Sequence, residues 1–418
     1  MSVLPVGIAA SGDEGYTIED SLRFRSSASA YLSRTFSTPT DNKKWTWSSW
    51  VKRGILSTAS YSIFGQYTNS TNRSDLYFDA NNKLNFYNYV SGSVSPSPQL
   101  ITSQAFRDPS AWYHIVLVWD SNNATAADRQ IIYVNGTRIT SYQSSATVAL
   151  GQSSQINSAT GHTIGEFENV NVNFDGYLTE INFIDGQALD PTDFGEFDED
   201  TGVWKPKEYE GTYGTNGFYL DGSGVTDSSG NGNNWTNNNL NLTTSSATTY
   251  DLMNDVPTLT DENTANYCTW NPLDKPAASS TTNGNLTATT TTAASEVICG
   301  TFGVSSGKWY WEVTPSAITS GGCMIGIRAI NQTTAAIVST TDGYGYYTTG
   351  RTYSSSPSVT YGDTFTTNDI IGVAFDADNG KIWWAKNGVW QASGDPAAGT
   401  NEAYSGISGT YKPAVSNG

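Results

Sequence analysis

Three observations predict an all-β chain made of two antiparallel β-sandwiches. One hairpin plan is written twice: Val116 to Arg138 reads VLVWD, a polar turn, then IIYVNGTR, and Ile371 to Trp390 reads IGVAFD, the turn ADNG, then KIWWAKNGVW. In each copy an apolar strand stops at Asp and a second aromatic or β-branched strand stops at Asn-Gly, and the copies lie about 250 residues apart. Between and around them run short segments rich in Val, Ile, Thr and aromatic residues, separated by Asn, Ser, Gly and Asp. No segment carries a 3.6-residue apolar stripe, so helix is a minor component.

The strands follow in order. Ser21 to Arg34 alternates polar and apolar residues, with Leu22, Phe24, Tyr31 and Leu32 as anchors. WTWSSWVKRG puts Trp45, Trp47 and Val51 on one strand face and Trp50 on the other. SIFGQY, DLYFDA, KLNFYNYV, WYHIVLVWD, IIYVNGTR, HTIGEF and FDGYLTEINFIDG complete a first sandwich over residues 21–190, preceded by an extended arm, residues 1–20. Around Pro191 the alternation breaks, and residues 191–254 read as an acidic and aromatic connector passing into Asn- and Thr-rich text, open to proteolysis between Leu240 and Pro257. GKWYWEV, CMIGIRA, GYGYYTTG, DIIGVAFD and KIWWAKNGVW form a second sandwich over residues 255–418. Trp383 and Trp384 are adjacent on one strand, so both can be buried only if their sheet is covered on both sides.

Composition narrows the function. With 418 residues the chain can hold two or three domains, each with its own core. Charged residues make up only 14%, replaced at the surface by hydroxyls and amides. The 21 basic against 39 acidic residues give −18, which repels a polyphosphate, so nucleic acid is not expected as a partner. Cys268, Cys299 and Cys323 are an odd, scattered set and read as buried free thiols. The start, MSVLPVGIAASGDEGY, lacks a secretory signal, and no stretch is long and apolar enough to insert into a membrane. The arm reads either as a docking segment for a partner subunit or as a disordered tail.

WTWSSWVKRG, WYHIVLVWD, IIYVNGTR, HTIG and FDGYLTEINFIDGQAL, in this order and spacing, resemble the concanavalin-like, laminin-G-type jelly roll over roughly residues 20 to 190. GKWYWEV, GYGYYTTG, IIGVAFDADNGKIWWAKNGVW and YKPAV resemble the SPRY domain, also a two-sheet sandwich. In that family a further strand follows the position of YKPAV. The resemblance therefore implies a missing final strand, supplied by a longer natural polypeptide or by a neighbouring subunit. The MSVLPVG start and the INFIDGQALDPTDFGEF stretch are similar to structural proteins of tailed bacteriophages, marine ones in particular.

A retaining glycosidase needs two carboxylates about 5 Å apart. Glu166 with Glu168, and Glu196 with Asp198 and Asp200, are the nearest pairs, and both read as solvated turns. His114 and His162 form neither a zinc set nor a triad, and His114 reads as a packed strand residue. DGSGVTDSSGNGN gathers oxygen donors among glycines, which makes Asp221, Asp227, Asn231 and Asn233 a candidate calcium loop. A turn that satisfies its own backbone is the competing reading. Tyr344, Tyr346, Tyr347, Arg351, Tyr353 and Trp384 are candidate ligand-binding residues, since rings with a polar handle suit sugar faces and protein hot spots. Core packing competes for Trp383 and Trp384.

The sequence thus leads to a non-enzymatic virion structural protein of fibre or decoration type that requires no cofactor, with calcium only a candidate ligand. The resemblance implies a homo-oligomer joined to other virion proteins through its arm, contacting a host-surface glycan or protein, assembled in the host cytoplasm and localised in the virion. The rival readings are a secreted bacterial glycan-binding protein and a glycan-cleaving enzyme.

Overall fold

The structure is a computed structural model that describes residues 15–56, 59–91, 98–167, 173–243, 249–261, 263–290, 296–318, 321–331, 337, 343–354 and 358–417, with backbone alone at 3–6. The chain forms two compact units, Asp13–Asn266 and Tyr267–Gly418 together with Met1–Gly12. Among the described residues all paired strands are in antiparallel sheets, and helix is limited to four three-residue 3-10 turns. The all-β, two-sandwich expectation holds.

In the first unit one sheet runs, in spatial order, Thr137–Arg138, Gln130–Val134, Trp112–Asp120, Lys44–Arg53, Gly176–Asp185, Ser21–Phe24 and Leu252–Met253, with Phe218–Leu220 also paired to Gly176–Asp185. The facing sheet runs Tyr142–Ala146, Gln99–Ala105, Lys83–Tyr89, Asn72–Phe78, Tyr61–Asn69, Gly161–Ile164, Tyr31–Thr35 and Thr236–Asn238. Alternation explains what lies between them: Trp45, Trp47 and Val51 point inward and are buried, and Trp47 stacks on Phe64 of the other sheet at 4.2 Å between ring centroids. Trp50 lies on the outer face in a second cluster with Ile18, Trp112, Tyr177, Trp204 and Val256.

The stretch 191–254, expected as a connector, is built into this unit, and the division between the units falls between Asn266 and Tyr267. It contributes the strands at 218–220, 236–238 and 252–253. It also places Phe218, Leu220, Trp235 and Leu240 in the main core. Buried ion pairs fasten its end: Asp251 receives Arg23 and Arg25, and Asp255 receives Lys52 at 2.7 Å and the Trp112 indole N–H at 3.1 Å. Strands of two or three residues held by backbone pairing leave no period-2 signature, which is why the text reads as loop.

The second unit packs a sheet ordered Val3–Val6, Lys308–Val313, Ile371–Asp376, Lys381–Lys386 and Val389–Trp390 against one ordered Val297–Cys299, Tyr411–Asn417, Cys323–Ala329, Gly343–Tyr347, Arg351–Tyr353 and Val359–Thr360. Trp383 and Trp384 are both fully buried, and Trp383 donates to the Thr400 carbonyl on the outer side. That sheet is therefore covered on both faces, as the adjacent indoles require. YKPAVSN is an internal strand, paired to Val297–Cys299 on one side and to Cys323–Ala329 on the other, so the unpaired edge expected at this strand is not there. Four backbone residues of the expected arm, Val3–Val6, pair with Lys308–Trp311 of this same chain; residues 7–14 of the arm lie outside the described residues. The three cysteines form no disulfide, and Cys268 and Cys299 are buried while Cys323 is half-buried.

Candidate functional site

The six candidate ligand residues of the second unit come from both of its sheets, Trp384 from one and the other five from two paired strands of the facing sheet. Trp384 is a core side chain, fully buried, with its indole N–H donated to the Ile325 carbonyl at 3.0 Å. Tyr346 is buried against it and donates to the Asp363 carbonyl, and Tyr344 packs on Tyr404 and Tyr411. Residues 344 and 346 face inward, Tyr346 and Trp384 lie in the core and Tyr344 is half-buried against it, which corrects the surface role expected of them. Tyr347, Arg351 and Tyr353 share the other face. Tyr347 and Tyr353 meet edge to face at 5.7 Å, and Arg351 is braced by the Ser358 hydroxyl and carbonyl, each at 2.8 Å.

The calcium candidates do not fit a cation. Both carboxylate oxygens of Asp227 accept backbone N–H groups, from Tyr219 and Ser229 at one and from Asn233 at the other. Asp221 accepts from Ser223 and Ser228. Asn231 and Asn233 turn their amide N–H groups onto the carbonyls of Gly214, Thr215 and Gly217, and the Asn233 carbonyl receives Arg34. The oxygens a calcium ion would need are spent on the turn's own backbone.

The other polar candidates are structural as well. Asp198 caps the turn at Asp200 and Thr201, and it and Glu196 pair with Lys205; Glu168 lies outside the described residues. His114 lies between the Trp50 and Trp204 rings. Its Nδ1 accepts the Trp204 indole N–H, so the ring proton sits on Nε2 and is donated to Ser48. Burial holds both His114 and His162 neutral, down at about 3. Among the described residues no group of three or more His, Cys, Asp or Glu side chains could hold a metal.

What the structure does assemble is an aromatic face on the outside of the first unit's second sheet. Cross-strand register sets it out in rows: Tyr67, Arg73 and Tyr89; Gly65, Asp75, Tyr87 and Gln99; Ser62, Tyr77, Asn85 and Ile101. The intervening residues Leu76, Phe78, Leu84, Phe86 and Leu100 go to the core, so alternation leaves the tyrosines outside. Tyr87 is the hub. It meets Tyr77 at 5.8 Å, Tyr89 at 4.9 Å and Phe167 at 6.3 Å, and the Arg73 guanidinium stands 5.5 Å from its centroid and 5.1 Å from that of Tyr89. Tyr67, Tyr77, Tyr87 and Tyr89 are half-buried, with ring surface left open.

Beneath the rings sits Asp75, buried, its Oδ1 accepting the Ser62 hydroxyl at 2.6 Å. Burial pushes its carboxyl up to about 8, so at neutral pH it is mostly protonated. Gly65 makes the room: a Cβ there would stand 3.1 Å from both the Phe167 ring and Asp75 Oδ1. None of these residues was a sequence candidate. The signal was present, since DLYFDA and KLNFYNYV alternate a leucine or phenylalanine with a tyrosine or a polar residue.

Comparison with known proteins agrees with this architecture. Residues 25–193 match the family model described as the concanavalin A-like lectin/glucanases superfamily, and residues 308–415 match the SPRY domain model. A curated relative, the ATP-dependent RNA helicase DDX1 of Xenopus laevis, is 36% identical over 90 residues, which is 21% of this chain and 12% of that protein. The chain thus spans about an eighth of that relative's length. Three solved structures show similarity at low identity. The SPRY domain of human HERC1 has 19% identity and a TM-score of 0.29, over 35% of this chain and 87% of that one. A candidate carbohydrate-binding protein of Bacteroides ovatus has 18% and 0.37, over 53% and 59%. The heptameric SAP-like pentraxin of Limulus polyphemus has 16% and 0.29, over 45% and 76%. The chain therefore carries a concanavalin A-like domain followed by a SPRY domain.

Proposed function

We propose that the protein is a non-enzymatic binding component of a tailed-phage virion, of fibre or decoration type, whose concanavalin A-like domain holds a host-surface glycan on its tyrosine face. The observation that carries the binding reading is the set of half-buried rings Tyr67, Tyr77, Tyr87 and Tyr89 around Arg73, Asp75 and Gln99. Aromatic faces take the C–H faces of sugar rings, while phenol, guanidinium, amide and a protonated carboxyl supply donors for hydroxyl oxygens. The virion reading is supported by the MSVLPVG start and the INFIDGQALDPTDFGEF stretch, which resemble phage structural proteins. Tyr347, Arg351 and Tyr353 on the SPRY domain offer a second, smaller contact surface suited to a protein partner.

Binding to purified envelope polysaccharide of the host tests the first statement. Tyr87→Ala and Tyr89→Ala are each expected to weaken it by about tenfold or more, on the scale of a lost stacking contact of 1–2 kcal/mol. No reducing ends should appear on long incubation. Unchanged affinity in both variants overturns the site, and sustained release of reducing ends overturns the non-enzymatic reading. Mass spectrometry of purified particles tests the virion statement, which the protein's absence there would sink.

A further inference from the structure

The Gly176–Asp185 strand is buried along its whole length yet interrupted. Between Thr179 and Asn182 its register to Lys44–Arg53 slips, and Glu180 takes a φ of 51°, the left-handed region that non-glycine residues seldom enter. The slip places the Glu180 side chain beside Tyr219, which alternates with the core residues Phe218 and Leu220, and beside Tyr16 from the segment that precedes the first strand. Three short contacts close a ring: Tyr219 Oη to Glu180 Oε1 at 2.6 Å, Tyr16 Oη to Glu180 Oε2 at 3.0 Å, and Tyr16 Oη to Tyr219 Oη at 2.8 Å.

Three oxygen–oxygen contacts at these distances need three protons, one in each. The two phenols supply two, and the third can come only from the carboxyl. We infer that Glu180 is a protonated acid in the closed ring and that the ring is a pH-operated latch on Tyr16. Ionisation leaves two protons for three contacts, so one oxygen pair faces lone pair to lone pair and the ring opens. The surroundings act in the same direction. The Glu180 carboxyl is raised from 4.5 to about 7 in all, by burial first and by the negative charges of Asp221 and Glu208, against the phenol contacts. Tyr213, a further titratable neighbour, donates its hydroxyl to Asn182. The carboxyl therefore favours the folded state most below its ordinary 4.5, and that contribution is lost as pH rises to about 7.

Opening frees a defined piece of chain. Ile18 is held separately, buried, with its N–H donated to the Thr258 hydroxyl at 3.1 Å and its carbonyl accepting from Thr260 at 2.8 Å. The latch thus holds Tyr16 without involving the hydrogen bonds that seat Ile18.

The test uses the full chain and two readouts, the ¹³C shift of the Glu180 carboxyl from pH 4 to 9 and peptide-level hydrogen exchange over residues 15–20 corrected for intrinsic pH dependence. In the native protein the carboxyl should titrate near neutrality, and protection of the stretch before Ile18 should fall by about tenfold from pH 6 to 8, following the ionised fraction. Glu180→Gln keeps a donor and an acceptor at every pH, so its protection should be flat. A native midpoint near 4.5, or protection that changes with pH alike in the native protein and Glu180→Gln, overturns the latch. The carboxyl titration of the native chain decides even if a variant fails to fold.

Discussion

Asp75 is the residue on which the tyrosine face turns, and its protonation has a measurable consequence. A carboxyl lifted from 3.8 to about 8 by burial keeps its proton in the folded state while the unfolded chain gives it up. Its contribution to stability is greatest below 3.8, declines through the window up to about 8, and is absent above it. Asparagine has nearly the same shape, can still accept the Ser62 hydroxyl and cannot ionise. The melting temperature of the first unit, followed from pH 4 to 9 in the Glu180→Gln background so that Glu180 is silent, should fall with pH when Asp75 is present. With Asp75→Asn that fall should be shallower, leaving the variant the more stable of the two at pH 9. Parallel curves would show that Asp75 titrates at an ordinary carboxylate pH.

At the scale of the element, the repeated hairpin proves to be a repeat down to individual hydrogen bonds. Asn135 and Asn387 each donate their backbone N–H to a carbonyl across the hairpin, that of His114 and that of Ile370, which immediately precedes its strand. Each also accepts that same residue's N–H on its side-chain oxygen, at 2.8 Å in both copies. Asn135 and Gly136 have φ of 47° and 72°, Asn387 and Gly388 of 48° and 79°: two positive values in a row, the backbone of a type I′ turn. Each turn returns the chain as a further short strand, Thr137–Arg138 or Val389–Trp390. The surroundings then separate the copies. A Cβ on Gly136 would lie 2.4 Å from the Trp204 ring, whereas one on Gly388 would meet nothing within 4 Å. Gly388→Ala should cost about 1 kcal/mol, the penalty of a side chain at positive φ. Gly136→Ala should cost at least about 2–3 kcal/mol, because the indole over His114 must also move. Denaturant titrations of the two variants check this, and equal losses would mean that Trp204 yields freely.

The same scale shows what sequence made legible. Long alternating strands and Asn-Gly turns leave a local signature, so both sandwiches and the packed His114 could be read directly, while burial of Trp384 was left competing with a ligand role. Strands of two or three residues at 218–220, 236–238 and 252–253 leave none, since their reason for pairing is the partner strand and not their own pattern. The tyrosine face was half visible: each strand showed its rings, but only register brings Tyr77, Tyr87 and Tyr89 around Asp75. Glu180 was hidden altogether, because a bulge inside FDGYLTEINFIDG is invisible to a period-2 reading.

At the scale of the whole molecule, the question is how much chain the first unit needs. A division at residue 190 or 254, where the text turns polar, removes parts of its interior. Ending the unit at residue 190 takes Phe218, Leu220, Trp235 and Leu240 from the main core. It also takes Asp251 and Asp255 from Arg23, Arg25 and Lys52, three cations held in or at the edge of the interior. Removing one partner of a buried ion pair costs roughly 3–5 kcal/mol, and a large core side chain costs roughly 2–5 kcal/mol, against a whole-domain stability of about 5–15 kcal/mol. A chain of residues 13–266 should therefore fold alone with a cooperative thermal transition. One of residues 13–190 should not fold, and one of residues 13–254, which keeps Asp251 but loses Asp255, should fold with a clearly lowered melting temperature. Expressing the three and comparing their melts decides it: cooperative folding of the 13–190 chain at the full-length melting temperature would show that residues 191–266 are an appendage after all.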